Sequence, residues 1–491
     1  MHDLVIREAT LYDGSGAPPV CADVAIDGDR IARVGAVPGG ARATLDGRGL
    51  ALAPGFIDVH THDDFAALVY PDMAFKLAGG VTTCVVGNCG FGAAPHAAAA
   101  VMARTLHPKI ALPEWQGYAG YLRRLEAQPP GVNIGLLVGH GTARLAAMGT
   151  ERRAPTGAEM AAMKAIVAEG LEAGALGLSS GLVYDPGRFA AAEELVELCA
   201  LMRGSGALYA THMRDEGAAL LDSVREAIDI GRRAGVPVQI SHHKASGRTA
   251  WGRVKESLKL IEAAQAEGLS VHADQYPYTA GSTILSAVYR DGRLRGVVGD
   301  LTGEDVVIAS TESHPEWEGR SLTQIGTRMG CSAEQAAQRV LAADHGVTCL
   351  LHAMSEEDVR TVMRHPSTMI GSDGIPTLEG KPHPRLYGTF ARVLGRYARD
   401  ERLFAMEEAV HRMTGFAAAK FGLRERGLVR PGAFADLVLF DPVRIIDRGT
   451  FEDPKRLPEG IRAVFVNGAL AVEDGTPTGV RTGRVLRRSR G

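Results

Sequence analysis

Two imidazoles, His60 and His62, stand two residues apart where an apolar run ends. The run, 52–59, reads as one short buried strand, and residues i and i+2 of a strand share a face. Both rings then point the same way at the strand tip. Neutral imidazole is the commonest metal-binding side chain, so the chemistry on offer is metal ligation. A lone His-x-His pair carries little weight. Later apolar runs end on Cys89, His212, His242 and Asp373. Imidazole, thiolate and carboxylate form the ligand set of zinc, and a catalytic zinc keeps one position open for water. These residues are scattered along the chain, so their shared place at strand ends makes the case.

Such placement requires a particular scaffold. From 52 to about 373, short apolar runs alternate with amphipathic segments, as a parallel α/β fold requires. Eight strands are expected, ending near His62, Cys89, His140, Gly181, His212, His242, Tyr276 and Asp373. Helices are expected over 156–173, 191–204 and 217–234. Polar residues at strand ends mark the C-terminal rim of a TIM (β/α)8 barrel. Residues 1–51 and 421–491 break the repeat. Both are β-rich, with Asp27-Gly28 as a hairpin turn, and together they are expected to form a small β-sandwich domain from the two chain ends. The barrel then covers 52–420. An insertion at roughly 284–346, between strands seven and eight, is expected to be a lid. The arginine-rich stretch 481–490 reads as a solvated tail.

Bulk properties narrow the class. A chain of 491 residues, 45% hydrophobic and 23% charged, is ordinary for a soluble enzyme. Its net charge of -3 argues against a nucleic-acid or membrane-surface role. No apolar stretch approaches the length of a membrane span, and the first residues lack the features of a secretory signal. Six scattered cysteines make no disulfide framework, which fits a reducing cytoplasm. A monomer and a small homo-oligomer both fit.

Longer segments carry a family likeness. They are Gly55-Phe56-Ile57-Asp58-Val59-His60-Thr61-His62, Gly87-Asn88-Cys89-Gly90, Thr211-His212-Met213-Arg214-Asp215-Glu216, Ser241-His242-His243-Lys244, Tyr276-Pro277-Tyr278, Gly371-Ser372-Asp373-Gly374 and His383-Pro384-Arg385. With them the chain resembles the amidohydrolase superfamily, specifically its N-acyl-D-amino-acid deacylase (D-aminoacylase) branch. The resemblance implies that Cys89 stands where most relatives carry a carboxylated lysine. It also implies a tight Zn2+ held by Cys89, His212 and His242, with a second, weaker metal position lined by His60, His62 and Asp373. Asp373 would be general base and acid, while Lys244, Tyr276 and Arg385 would hold the substrate's α-carboxylate. The implied reaction is hydrolysis of a small-molecule N-acyl-D-amino acid. The D configuration follows from the resemblance alone.

Several alternatives stay open. His243 is one residue out of phase with His242 and reads as outward-facing, yet either could be the ligand. Tyr278 shares the parity of Tyr276 and could make its contact. In relatives that prefer acidic side chains an arginine follows the Tyr-Pro-Tyr segment. Here Tyr289 falls at that place, with Arg290 one residue on, which favours neutral or hydrophobic side chains. An N-acyl-D-glutamate or aspartate substrate, a cyclic amide, and a metal-free barrel scaffold are the rival readings.

Overall fold

Val81–Val86 and Asn133–Gly139 are buried at every position. That is the pattern of parallel strands with helices outside and a packed barrel inside. The computed structural model describes residues 1–106, 112–294, 300–344 and 346–488. Eight parallel strands follow in chain order: Phe56–Asp58, Val81–Val86, Asn133–Gly139, Gly177–Gly181, Leu208–His212, Val238–Ile240, Val271–Gln275 and Thr368–Ile370. Each pairs with its neighbours in sequence. An isolated parallel bridge between Thr61 and Gly374 spans the seam between the eighth and first strands, at the rim. Ile57, Val59, Val85, Leu137, Leu208 and Met369 belong to one buried cluster, a packed core rather than a pore.

The expected strand ends lie at the observed ones or a few residues beyond. The helix Gly157–Glu172 starts at Thr156, which forms a capping box with Glu159. The helix expected from 217 begins later, as Leu220–Ala234.

One expectation is corrected: the run 52–59 is not a single strand. Ala51–Pro54 pairs with His2–Leu11 and with Leu437–Phe440, while Phe56–Asp58 opens the barrel. The division falls at Gly55, where a Cβ would lie 2.2 Å from the Thr82 side chain. A run with one polar residue, Asp58, carries no period that could reveal the change of sheet. The sheet joined by Ala51–Pro54 has nine strands, drawn from both chain ends. Ile6, Val24, Leu52, Leu437 and Phe465 share its core.

The arginine-rich C-terminal stretch is also not a solvated tail over its described part. Val485–Leu486 pairs with the third barrel strand, and Arg484 and Arg487 meet Asp29 and Glu126.

Between strands seven and eight the chain builds a three-stranded antiparallel sheet of Gly281–Ile284, Val306–Ser310 and Thr348–Leu351. Leu285, Val288, Ile308, Leu322, Val340 and Cys349 form a core of its own. Among the described residues no helix is long and apolar enough to cross a membrane.

Candidate active site

The site is built at the rim from three backbone turns that ordinary residues rarely adopt. The second strand ends at Val86, and Gly87 (φ +84°) turns the chain into the short turn Asn88–Gly90. A Cβ at Gly87 would sit 2.2 Å from the Leu137 carbonyl oxygen, so the turn requires glycine. Asn88 Nδ2 donates to the Val85 carbonyl at 2.8 Å. Cys89, His242 and Asp373 themselves have φ of +53°, +37° and +50°. Left-handed non-glycine backbone costs free energy and persists where its surroundings over-determine it.

These turns bring the donors together. Cys89 Sγ lies 3.4 Å from His60 Nε2, 3.7 Å from His212 Nδ1 and 3.5 Å from His242 Nε2. Around a tetrahedral zinc, sulfur and nitrogen ligands are about 3.6 Å apart, so the Cys89, His212 and His242 donors already have the required spacing. Cys89 is buried. Burial alone would push its thiol up, but the facing His60, His212 and His242 rings hold it well below the ordinary range. A thiolate is the form that binds metal. His62 Nε2 and His60 Nε2 lie 3.2 and 3.5 Å from Asp373 Oδ1. His60, His242 and Asp373 form a second group whose ligand atoms fall within 4.8 Å of one another. Against its burial, Asp373 is held well below the usual carboxylate range by Arg385, then by His242 and His62.

Geometry separates the members of two pairs. His243 turns away, with Nε2 2.8 Å from Ser257 Oγ, while His242 faces Cys89. Tyr278 donates to Asp447 at 3.2 Å, while Tyr276 lines the cavity beside His212, Lys244 and Asp373. His140 pairs with Glu194 at 2.8 Å and belongs to the scaffold.

Arg385 is buried, with its guanidinium 4.3 Å from the centre of the Tyr276 ring and Nη2 2.9 Å from Asp373 Oδ2. Among the described residues its Nε and Nη1 have no hydrogen-bond partner. Lys244 lines the cavity, whereas Arg385 is not among its lining residues, and the lysine ammonium is engaged by Glu216 Oε1 at 2.7 Å and by the His242 carbonyl at 2.8 Å. Tyr289 packs against the inserted subdomain's core rather than lining the cavity, and Arg290 donates to the carbonyl of Val183.

The sequence reading did not assign Glu216, although it sits four residues after His212. Its Oε1 lies 2.9 Å from His242 Nδ1, the carboxylate–histidine arrangement that orients a metal ligand. Against its burial, Lys244 and the two histidines hold Glu216 ionised.

The model of the "Amidohydrolase family" matches residues 43–472. The chain belongs to the amidohydrolase family. It is 43% identical to D-aminoacylase of Alcaligenes xylosoxydans xylosoxydans, over 99% of this chain and 98% of that one. With N-acyl-D-glutamate deacylase of the same organism the identity is 41%, over 99% and 96%. The crystal structure of N-acyl-D-glutamate deacylase from Bordetella bronchiseptica, complexed with zinc and a phosphonate inhibitor, superposes with a TM-score of 0.88 at 39% identity, covering 99% of each chain. These likenesses place the chain in the N-acyl-D-amino-acid deacylase branch, whose members are metal-dependent amidohydrolases.

Within that branch the carboxylate behind His242 has a measurable role. Glu216→Gln keeps the shape and loses the charge. It is expected to weaken zinc binding about 10–100-fold, read by competition against a fluorescent chelator.

Proposed function

We propose that this chain hydrolyses N-acyl-D-amino acids with neutral or hydrophobic side chains, giving the free D-amino acid and a carboxylate. The observation that carries the reading is Arg385. It is a buried guanidinium with two unpartnered nitrogens, against Tyr276 and 2.9 Å from Asp373. A cation so placed suits a substrate with a free carboxylate close to the scissile bond.

Cys89, His212 and His242 would hold one zinc tightly, and His60, His62 and Asp373 would line a weaker second position. When bound there, zinc polarises an amide carbonyl and lowers the pKa of water to about 7. The remaining work falls to this chain's side chains. Arg385 and the Tyr276 hydroxyl, whose partner is the weak acceptor Met354 Sδ at 3.5 Å, bind the α-carboxylate. Lys244 contributes charge from its pairing with Glu216. Asp373 Oδ1, the oxygen turned toward His60 and His62, takes a proton from the attacking water and returns it to the amide nitrogen. The C–N bond then breaks with a neutral amine as leaving group.

The side-chain preference rests on the wall opposite. Val183, Ala287, Val288, Leu351 and Met354 line the cavity and give it apolar surface for a substrate side chain. Three of these come from the inserted subdomain, so it acts as the lid. An acidic substrate is the second reading. It is favoured by Arg290, half-buried beside Val183 and without a carboxylate partner among the described residues. The scaffold reading required eroded ligands, and every donor is present. Six unpaired cysteines support a reducing cytoplasmic setting.

A panel of N-acetyl-D and N-acetyl-L leucine, methionine, phenylalanine, glutamate and aspartate tests the reading with one equivalent of zinc present. Turnover confined to D-forms, with leucine exceeding glutamate at least about tenfold in kcat/KM, is expected. A tenfold ratio corresponds to about 1.4 kcal/mol of discrimination. Glutamate exceeding leucine would transfer the specificity to Arg290. Turnover of cyclic amides alone would replace the deacylase reading.

A further inference from the structure

Behind the rim, on the side facing away from the cavity, lies a lysine that the chemistry above does not use. Lys76, in the short helix Ala74–Leu77, is 1% exposed. Its ammonium contacts Asp58 Oδ2 at 2.7 Å, Thr61 Oγ1 at 2.9 Å, Ser372 Oγ at 3.0 Å and Asp63 Oδ2 at 3.2 Å. A buried ammonium survives only when paired and hydrogen-bonded, and the two carboxylates keep this one charged.

What matters is which residues it touches. Thr61 lies between His60 and His62, and Ser372 immediately precedes Asp373. Holding Thr61 and Ser372 therefore fixes the two backbone segments that carry the histidines and Asp373. The same network supports the left-handed turn at Asp373. Ser372 N donates to Asp58 Oδ1 at 2.8 Å, Gly374 N to Ser372 Oγ at 3.1 Å, Asp373 N to the His60 carbonyl at 2.7 Å, and His62 N to the Gly374 carbonyl at 3.0 Å. Between the first and eighth strands the described residues make no regular ladder, only the Thr61–Gly374 bridge. The seam that carries the proposed base is thus held by those two backbone-to-backbone hydrogen bonds and one bridge, where the other barrel strand pairs have ladders of three to five residue pairs.

We propose that Lys76 is a positioning residue that locks the first and eighth strand tips together across this seam and so fixes the Asp373 carboxylate against His60 and His62. Its kinetic consequence rests on the deacylase reading, whereas its geometric consequence does not. Three variants separate the effects. Lys76→Met removes the lock, Lys76→Arg keeps the charge, and Ser372→Ala cuts the link to the Asp373 strand while leaving the Lys76–Asp58 pair. A displacement near 1 Å at reacting groups costs about 100-fold in rate. Lys76→Met is expected to lose about that factor in kcat with KM little changed and zinc content retained. Ser372→Ala should lose about tenfold, and Lys76→Arg should recover part of the loss. Crystal structures of Ser372→Ala and Lys76→Met should show the Asp373 carboxylate withdrawn from His62 and Arg385. If Lys76→Met fails to fold, Ser372→Ala carries the test. Asp373 unmoved in the variant crystals overturns the inference, whatever the enzyme hydrolyses. A folded, zinc-loaded Ser372→Ala with wild-type kcat also overturns it. A wild-type enzyme inactive on every N-acyl-D-amino acid would instead sink the deacylase reading and leave the crystallographic test standing.

Discussion

Cys89→Ala is expected to lose its zinc and, with it, at least about 1,000-fold in kcat/KM, equivalent to roughly 4 kcal/mol of transition-state stabilisation. The sulfur sits at the centre of the ligand cluster, within 3.4–3.7 Å of His60, His212 and His242. The nearest other donors, His60 and Asp373, belong to the proposed weaker position. His60 is flanked by Asp274 Oδ1 at 3.2 Å from Nδ1 and by Asp373 at 3.5 Å from Nε2. Glu216 is committed to His242 and Lys244. Alanine tolerates the left-handed turn at this position no worse than cysteine does, so the variant should fold. Metal content after dialysis against a weak chelator reads the result directly. Cys349→Ala provides the control, since Cys349 lies in the core of the inserted subdomain and should keep its zinc. A Cys89→Ala protein that holds one equivalent of zinc at wild-type affinity would remove Cys89 from the metal centre.

The rim was legible in the sequence because buried strands such as Val81–Val86 and Thr368–Ile370 are followed within three residues by Cys89 and Asp373, and chain order equals strand order. Cys89 was legible for a different reason: it stands between Asn88 and Gly90 directly after such a run. What stayed hidden depends on contacts distant in sequence. Lys76 occurs in Ala74-Phe75-Lys76-Leu77, where a lysine reads as the solvent face of an ordinary helix. Only the approach of Asp58 and Ser372 makes it a buried ammonium. Lys244 was read toward the substrate from the family resemblance, and it does line the cavity. Parity gives no information about Glu216, which reaches it from another loop. Gly55 divides two sheets within one apolar run because Thr82 packs against it, a contact that periodicity does not encode.

Asp373→Asn is expected to lower kcat about 1,000-fold while leaving zinc content unchanged. General acid–base catalysis by one side chain contributes about 10²–10⁴-fold, and here one carboxylate would serve both proton transfers. The proposed tight ligand set of Cys89, His212 and His242 does not include Asp373, so metal retention would separate loss of the base from loss of the centre. Asparagine is the appropriate replacement because it tolerates left-handed backbone better than most residues, and Asp373 has φ +50°. The expected change in KM has a definite sign. Arg385 Nη2 lies 2.9 Å from Asp373 Oδ2, so a substrate carboxylate bound as proposed would share the guanidinium with a fixed anion. Neutralising that anion leaves Arg385 more available, and KM should hold or fall as kcat collapses. Stopped-assay kinetics on N-acetyl-D-leucine, with zinc quantified in the same samples, separate the two parameters. A kcat within about tenfold of wild type would mean that the proton is carried by another group. A raised KM with intact kcat would make Asp373 part of the substrate clamp instead.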